Sequence, residues 1–162
     1  MLDVACGSGR HVRWFAARGA VVTGVDRDAA ATAPLRELAR IIVADLEGAP
    51  WPLAGEHFDG VICTNYLWRP ALPDLVASIA PGGVLVYETF ALGQERFGRP
   101  SNPDFLLRPG ELLAHCRGLR VLGYEDGLER DPPRCVQRIA AVREDARIQR
   151  PRAWPLGGPT IT

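Results

Sequence analysis

The first residues of the chain place an apolar segment directly before a turn that contains two glycines. Residues 2–5 are apolar apart from Asp3, and Gly7 and Gly9 follow within a few positions. Glycine lets a backbone turn sharply and approach a ligand closely, because no side chain intervenes. The next segment, residues 10–18, has apolar residues at helical spacing. The chain is therefore predicted to begin with a strand, a glycine turn and a helix.

Short apolar runs and longer mixed segments continue to alternate along the chain, which is typical of an α/β fold with a mainly parallel sheet. The predicted strands are residues 2–5, 21–25, 41–44, 59–64, 84–88, 119–125 and 135–143. The predicted helices are about 10–18, 28–40, 70–80 and 109–117, the last of them beginning at Pro109. A proline turn joins the last two strands, and a hairpin there makes the final strand antiparallel.

The length and composition indicate one domain followed by a tail. A chain of 162 residues suits a single core, which we assign to residues 1–143. Residues 144–162 are polar and rich in proline, so we expect a loosely packed or disordered tail. The 19 basic and 19 acidic residues cancel, which argues against nucleic acid or an anionic membrane as a partner. Lysine is absent, which excludes Schiff-base and phosphate-loop lysine chemistry.

Cysteine usage and hydropathy predict a cytoplasmic protein. The four cysteines form no C-x-x-C pair, so we expect reduced thiols and no metal site. No apolar run approaches the roughly 18 residues that are needed to cross a bilayer. No signal peptide precedes the first predicted strand. The oligomeric state stays open.

Three features are expected to meet at the carboxyl edge of the predicted sheet, where open parallel sheets bind ligands. Gly7 and Gly9 follow the first strand, Asp26 ends the second and Asp45 ends the third. An acid about 20 residues after the glycines can accept the hydroxyls of a ribose, and a second acid can accept the amino group of an adenine. The set predicts a pocket for a molecule that contains adenosine. Val12 stands where the dinucleotide-binding pattern has its third glycine, which weakens a nicotinamide or flavin assignment.

These segments together resemble the ordered motifs of class I S-adenosylmethionine (SAM)-dependent methyltransferases over about residues 1–90. The matching segments are Leu2-Asp3-Val4-Ala5-Cys6-Gly7-Ser8-Gly9, Val25-Asp26, Ala44-Asp45-Leu46, Phe58-Asp59-Gly60-Val61-Ile62 and Pro81-Gly82-Gly83-Val84-Leu85. Residues 104–112 resemble, more loosely, a segment of bacterial small-molecule methyltransferases of the tellurite-resistance type. The resemblance implies a Rossmann-like doubly wound sheet with helices on both faces and an antiparallel last strand.

The resemblance also implies SAM as cofactor, S-adenosylhomocysteine (SAH) as product, and a set of binding residues. Gly7 and Gly9 would line the methionine part, and Asp3 would help to anchor its amino group. Asp26 would bind the ribose, Arg27 would lie over the adenine, and Asp45 with the Leu46 amide would read the adenine edge. The remaining expected cofactor neighbours are Ala5, Cys6 and Thr64.

Residues for the methyl acceptor are expected after the fourth and fifth strands. Asn65 and Tyr66 follow the fourth strand and can position an acceptor; the next residue is Leu67, unlike the N-P-P-Y signature of DNA amino-group methylases. We therefore expect a small-molecule acceptor, methylated by direct displacement. Glu88, Arg96 and Arg99 are candidate acceptor ligands after the fifth strand, with paired surface charges as the alternative.

The chain departs from the family at its start, where the first strand begins near Leu2 without the helix that usually precedes it. We therefore expect a SAM site that is open on one side and binds weakly. Two other functions stay open: a SAM- or nucleoside-binding module without turnover, and an NAD-dependent oxidoreductase.

Overall fold

The structure, a computed structural model, describes residues 1–147 and residue 153, so the predicted tail lies largely outside the described residues. Seven strands form one sheet: β1 (Leu2–Val4), β2 (Thr23–Asp26), β3 (Arg40–Val43), β4 (Phe58–Thr64), β5 (Ile79–Phe90), β6 (Arg120–Arg130) and β7 (Pro133–Val142). The α-helices of the described residues are α1 (Arg10–Ala16), α2 (Ala29–Thr32), α3 (Leu72–Ala77) and α4 (Glu111–His115).

The strands follow the order β3-β2-β1-β4-β5-β7-β6 across the sheet. The first five strands run parallel, whereas β7 is antiparallel to both of its neighbours, β5 and β6. The predicted seven-stranded sheet with an antiparallel last strand is confirmed. Because β1 lies between β2 and β4, the strand order reverses there, and ligands of open α/β sheets bind at such a point.

Alternation along the strands divides the core between the two faces of the sheet. Leu2 and Val4 of β1 belong to the larger buried cluster, which also contains leucines of α3 and α4. The smaller cluster contains Val12 of α1 and Leu35, together with Cys6 and Val22. Helices therefore cover both faces of the sheet, as predicted, and Asp3 points away from the larger cluster.

Several element boundaries differ from the prediction for local reasons. The second helix is short, because Pro34 lies in a 3-10 turn, Ala33–Leu35, that follows α2 directly. The fourth helix begins at Glu111 and not at Pro109, since Gly110 adopts a left-handed conformation as its N-cap. Strand β5 extends two residues beyond the predicted Glu88 to Phe90, because β7 pairs with it over its whole carboxyl half.

The long loop after β5 is folded back onto the sheet. A parallel bridge joins Ala91 to Leu107, and the side chain of Gln94 fixes the start of β7 by accepting a hydrogen bond from the Cys135 amide at 2.9 Å. The loop is therefore anchored at both ends beside the carboxyl edge of β4 and β5. Within the described part of the chain, no helix is long and apolar enough to cross a membrane. All four cysteines are buried free thiols.

Candidate functional site: two clefts at the carboxyl edge of the sheet

The glycine turn after β1 is hydrogen-bonded to the acid that ends β2. The amide of Gly7 donates to Asp26 Oδ2 at 2.7 Å, and the amide of Asp28 donates to Asp26 Oδ1 at 2.9 Å. The Cys6 amide also donates to the Val25 carbonyl at 3.0 Å, which extends the β1–β2 pairing into the turn. Asp26 is therefore held in place by backbone donors on two segments.

The two glycines of the turn serve different purposes. Both have positive φ, +52° at Gly7 and +82° at Gly9. A Cβ on Gly9 would lie 2.4 Å from the side chain of Leu35, whereas a Cβ on Gly7 would meet nothing within 4 Å. Gly9 is thus required for packing under the turn, and it is the N-cap of α1. Gly7 faces open space in which a ligand can lie.

A first cleft, called here the edge cleft, opens beside this turn with a volume of about 130 Å³. Its lining comes from the ends of β1, β2 and β3 and from the turn after β4: Ala5, Asp26, Arg27, Ala44, Asp45, Leu46, Glu47 and Tyr66. The Ala44 amide donates to the Asp26 carbonyl at 3.0 Å, so the acids at 26 and 45 approach each other across adjacent strands. Asp45 Oδ1 also accepts from the Glu47 amide at 3.0 Å, which shapes the turn.

Asp3 lies beneath the glycine turn and is 2% exposed. Its Oδ2 has no hydrogen-bond partner among the described residues, and its Oδ1 lies 3.9 Å from His11 Nδ1, beyond hydrogen-bond distance. Burial raises the pKa of Asp3 to about 7, against the opposing effects of the Val12 amide and of Arg10. Burial and the nearby Asp3 raise the pKa of Cys6 to about 12, so this thiol is no nucleophile.

A tight turn after β4 presents Asn65 and Tyr66 at the same edge. Asn65 has a positive φ of 56°, and its amide donates to the Glu88 carbonyl at 2.9 Å. The buried Tyr87 hydroxyl donates to the Tyr66 carbonyl at 2.7 Å. The Tyr66 hydroxyl is itself buried without a partner among the described residues, and burial raises its pKa well above its ordinary value. The backbone of Tyr66 is therefore fixed by Tyr87, and its hydroxyl keeps its proton and can donate a hydrogen bond.

A second cleft, called here the loop cleft, lies between this turn and the loop after β5 and has a volume of about 390 Å³. Its lining residues are Glu47, Asn65, Tyr66, Leu67, Thr89, Phe90, Arg99, Pro100 and Phe105. Glu47 and Tyr66 line both clefts, so the two spaces meet at these side chains.

Several residues expected at the site lie elsewhere. Glu88 forms ion pairs with Arg134 at 3.0 Å and Arg138 at 2.9 Å, because its side chain projects towards β7. The guanidinium of Arg96 lies over the ring of Phe97, and its Nε donates to the Gly93 carbonyl. Neither Glu88 nor Arg96 lines the loop cleft. Of the three expected acceptor ligands, Arg99 is the one that does. Thr64 ends β4 and lines neither cleft.

Other residues that line the clefts were not predicted from the sequence. Phe90 and Phe105 give no signal of their own, because a lone ring in a loop is compatible with any surface position. Glu47 directly follows the Asp45-Leu46 step, and this position is the local signal for it in the sequence. Each of them is brought to the site by the folded loop after β5 or by the turn after β3.

Arg69 ties the turn after β4 to the loop after β5. Its Nε and Nη2 bond the two carboxylate oxygens of Glu111 at 2.6 and 2.9 Å, and Nη2 also donates to the Leu106 carbonyl at 2.8 Å. Its Nη1 donates to the carbonyl of Asp104. This bidentate pair fixes both walls of the loop cleft relative to each other.

Comparison with known proteins agrees with this geometry. The model of the methyltransferase domain family matches residues 1–83, which is half of the chain. No curated protein matches the chain. Among solved structures, TehB from Haemophilus influenzae is 17% identical with a TM-score of 0.68; the match covers 88% of this chain and 57% of TehB. This chain therefore spans little more than half the length of that relative.

Two further structures share the fold. A SAM-dependent methyltransferase from Mesorhizobium loti is 18% identical with a TM-score of 0.69, and the match covers 88% of this chain and 89% of that one. The magnesium protoporphyrin IX methyltransferase of Synechocystis, solved with bound SAH, is 20% identical with a TM-score of 0.63, over 88% of this chain and 73% of that one. The family match shows that the chain belongs to the methyltransferase domain family, and these neighbours share its fold, that of class I SAM-dependent methyltransferases.

Proposed function

We propose that this chain transfers a methyl group from SAM to a small-molecule acceptor by direct displacement and releases SAH. The observation that carries the proposal is the meeting of the edge cleft and the loop cleft at Glu47 and Tyr66. Methyl transfer needs two molecules aligned in contact, and adjoining clefts supply that alignment. We assign the catalytic domain to residues 1–143.

The edge cleft fits the adenosine part of SAM. Each oxygen of Asp26 accepts one backbone hydrogen bond and retains a lone pair for a ribose hydroxyl. Asp45 and the Leu46 amide line the same cleft and offer an acceptor and a donor to an adenine edge. Arg27 lines it as well and can lie over the adenine ring. Ala5, with a positive φ of 55°, lets the turn approach the cofactor closely.

The methionine part fits the space beside the glycine turn. Gly7 faces open space, and the unpartnered Asp3 Oδ2 is a buried acceptor below the turn. A buried carboxylate without a partner is costly, and an ammonium group that approaches it directly or through water offsets that cost. Cys6 and Gly9 complete the turn; the Cys6 thiol is buried in the smaller cluster, and Gly9 has no side chain.

When bound, SAM supplies a methyl carbon on a sulfonium; an acceptor lone pair bonds to that carbon while the carbon–sulfur electron pair passes to sulfur. Tyr66 keeps its proton, because its pKa is raised, and donates a hydrogen bond at the junction of the clefts. Asn65 orients the acceptor from the wall of the loop cleft. Glu47 lines both clefts and can take the proton of an acceptor that carries one.

The names of two structural neighbours describe what they methylate, and one of them acts on a small molecule. The Synechocystis protein is named for methylation of a porphyrin, and a neighbour from Bradyrhizobium japonicum is named as the N-methyltransferase NodS. Their acceptors do not transfer to this chain. What supports the size class here is the confined volume of the loop cleft, about 390 Å³, which is at the small end of ligand pockets.

Titration calorimetry with SAM, SAH and NAD tests the cofactor. We expect SAM and SAH to bind and NAD to give no heat. The variant Asp26→Ala should lose SAH binding, whereas the control Asp59→Ala, an exposed acid at the start of β4, should retain it. Binding of NAD alone would overturn the proposal. A methyl-release assay with a panel of metabolites then tests turnover. If the protein binds SAM but methylates no metabolite of the panel, it is a SAM-binding module and not an enzyme.

A further inference from the structure

We propose that the acceptor is a flat, apolar molecule that carries a carboxylate, which Arg99 binds in the loop cleft. This inference rests on the proposed function, because it names the substrate class of the same site. It is carried by the arrangement of one cation, two rings and one carboxylate along the cleft.

The walls of the loop cleft favour a flat apolar body. Leu67 is buried in the wall, Phe90 is half-buried, and Phe105 leaves 37% of its surface exposed. Phe90 ends β5, Phe105 lies near the far end of the loop that follows it, and both line the same space. Aromatic rings that line a narrow cleft favour a flat partner, because ring faces and edges pack best against another ring.

The guanidinium of Arg99 forms no ion pair in the described part of the chain. By contrast, Arg69 is paired with Glu111, and Arg134 and Arg138 are paired with Glu88. None of the ion pairs of the described residues includes Arg99, although it lines the cleft. A guanidinium offers a planar fork of donors that matches a carboxylate, so an anionic ligand completes this position.

A hydrogen bond fixes the backbone of Arg99, whereas its side chain forms no ion pair with the described residues. The buried Gln94 donates from Nε2 to the Arg99 carbonyl at 3.4 Å, and its Oε1 accepts from the Cys135 amide of β7. The loop is therefore anchored to the sheet directly beside Arg99. This anchor reduces the conformational entropy that the loop would lose when it binds an anion.

The charges of the cleft orient the acceptor. Glu47 lies at the junction with the edge cleft, whereas Arg99 lines the loop cleft alone. A carboxylate is repelled by Glu47 and attracted by Arg99, so we expect the anionic end to bind at Arg99 and to avoid the wall that the two clefts share. The opposite end of the acceptor, with its nucleophilic hydroxyl, thiol or amine, then lies beside Asn65 and Tyr66.

Matched pairs of probes test this inference. The probes are hydroxy-, amino- and mercaptobenzoates together with the corresponding benzamides, which keep the ring and the nucleophile but lack the charge. Binding is measured by calorimetry with the protein saturated with SAH. We expect the best acid to bind about tenfold or more tightly than its amide, as charge-assisted hydrogen bonds predict. The same order is expected for kcat/KM in methyl release.

Variants then locate the preference. Arg99→Gln should remove the difference between acid and amide, and Arg99→Lys should restore part of it. The control Arg96→Gln should keep the full difference, because Arg96 lies over Phe97 outside the cleft. Unchanged SAH affinity in each variant confirms folding and separates this test from that of the proposed function. The inference is overturned if amides bind as well as acids, if no probe binds, or if Arg99→Gln keeps the preference.

Discussion

The amide of Gly7 and the Oδ2 atom of Asp26 lie 2.7 Å apart, and this hydrogen bond joins the turn after β1 to the end of β2. It links the two features by which the sequence resembles its family. The acid is oriented by the protein itself, because the Asp28 amide holds its other oxygen. A ribose that binds at Asp26 therefore meets a carboxylate that is already positioned.

We expect Asp26→Asn to weaken SAH binding at least about tenfold, because an amide replaces one of the two charged acceptors by a donor. The matched control is Asp28→Ala. Asp28 caps α2 by accepting from the Ala30 and Ala31 amides, so its loss should lower the free energy of unfolding by about 1 kcal/mol. Its SAH affinity should stay close to that of the parent, because the substitution keeps the Asp28 amide that bonds Asp26. Calorimetry and urea denaturation check both variants; equal SAH affinity for Asp26→Asn and the parent would remove Asp26 from the site.

The two glycines of the turn should respond differently to alanine. Gly9→Ala brings a Cβ to 2.4 Å from Leu35 at a positive φ, so we expect a loss of roughly 3 kcal/mol or more in unfolding free energy. Gly7→Ala meets no atom within 4 Å, and backbone strain alone should cost about 1–2 kcal/mol. The added methyl at Gly7 should nevertheless weaken SAH binding. Equal destabilisation in urea melts would contradict this division of roles.

The pH dependence of stability should report the buried Asp3. Its pKa in the folded protein is about 7, above its ordinary 3.8, so the folded state binds the proton more tightly than the unfolded state does. The stability that this proton contributes is complete below about pH 3.8 and is lost as the pH rises through about 7. Denaturation from pH 4 to 8 should show the decline, by up to about 4 kcal/mol, and Asp3→Asn should flatten it. The charged or titratable neighbours of Asp3 are His11, Arg10 and Asp26, and all three are unchanged in the variant. Parallel curves for parent and variant would show that Asp3 does not titrate in this range.

Arg69 and Glu111 should contribute measurably to stability and hold the loop cleft. Replacing Arg69 by Gln leaves the Glu111 carboxylate, 14% exposed, without its partner, and we expect a loss of about 1–2 kcal/mol at pH 7. The hydrogen bond from Arg69 lowers the pKa of Glu111, so the contribution is present above pH 4.5 and is lost as the pH falls further. The difference between parent and variant in urea melts should shrink below pH 4.5. The exposed pair Arg40–Glu56 is the control, since Arg40→Gln should change stability much less.

Much of the fold and the cofactor side of the site could be read from the sequence, because the signals are local. A glycine turn must follow a strand closely, and an acid that ends a neighbouring parallel strand must reach the same edge. The sequence therefore predicts Gly7, Asp26 and Asp45 at one edge; in the structure Gly7 bonds the Asp26 carboxylate, and Ala44, beside Asp45, bonds the Asp26 carbonyl. Their contact with SAM remains a prediction.

The acceptor side was decided by tertiary structure. Glu88 and Arg99 looked equivalent in the sequence, yet β7 inserts beside β5 and pairs Glu88 with two arginines, which leaves Arg99 on the cleft. Phe105 reaches the same cleft from the far end of the loop only because Arg69 and the Ala91–Leu107 bridge hold that loop against the sheet. The sequence by itself determined which strands end in ligand-binding groups, since strand, turn and acid are neighbours along the chain. Which loop side chains face the acceptor was settled only by long-range pairing of strands and charges, which no local pattern encodes.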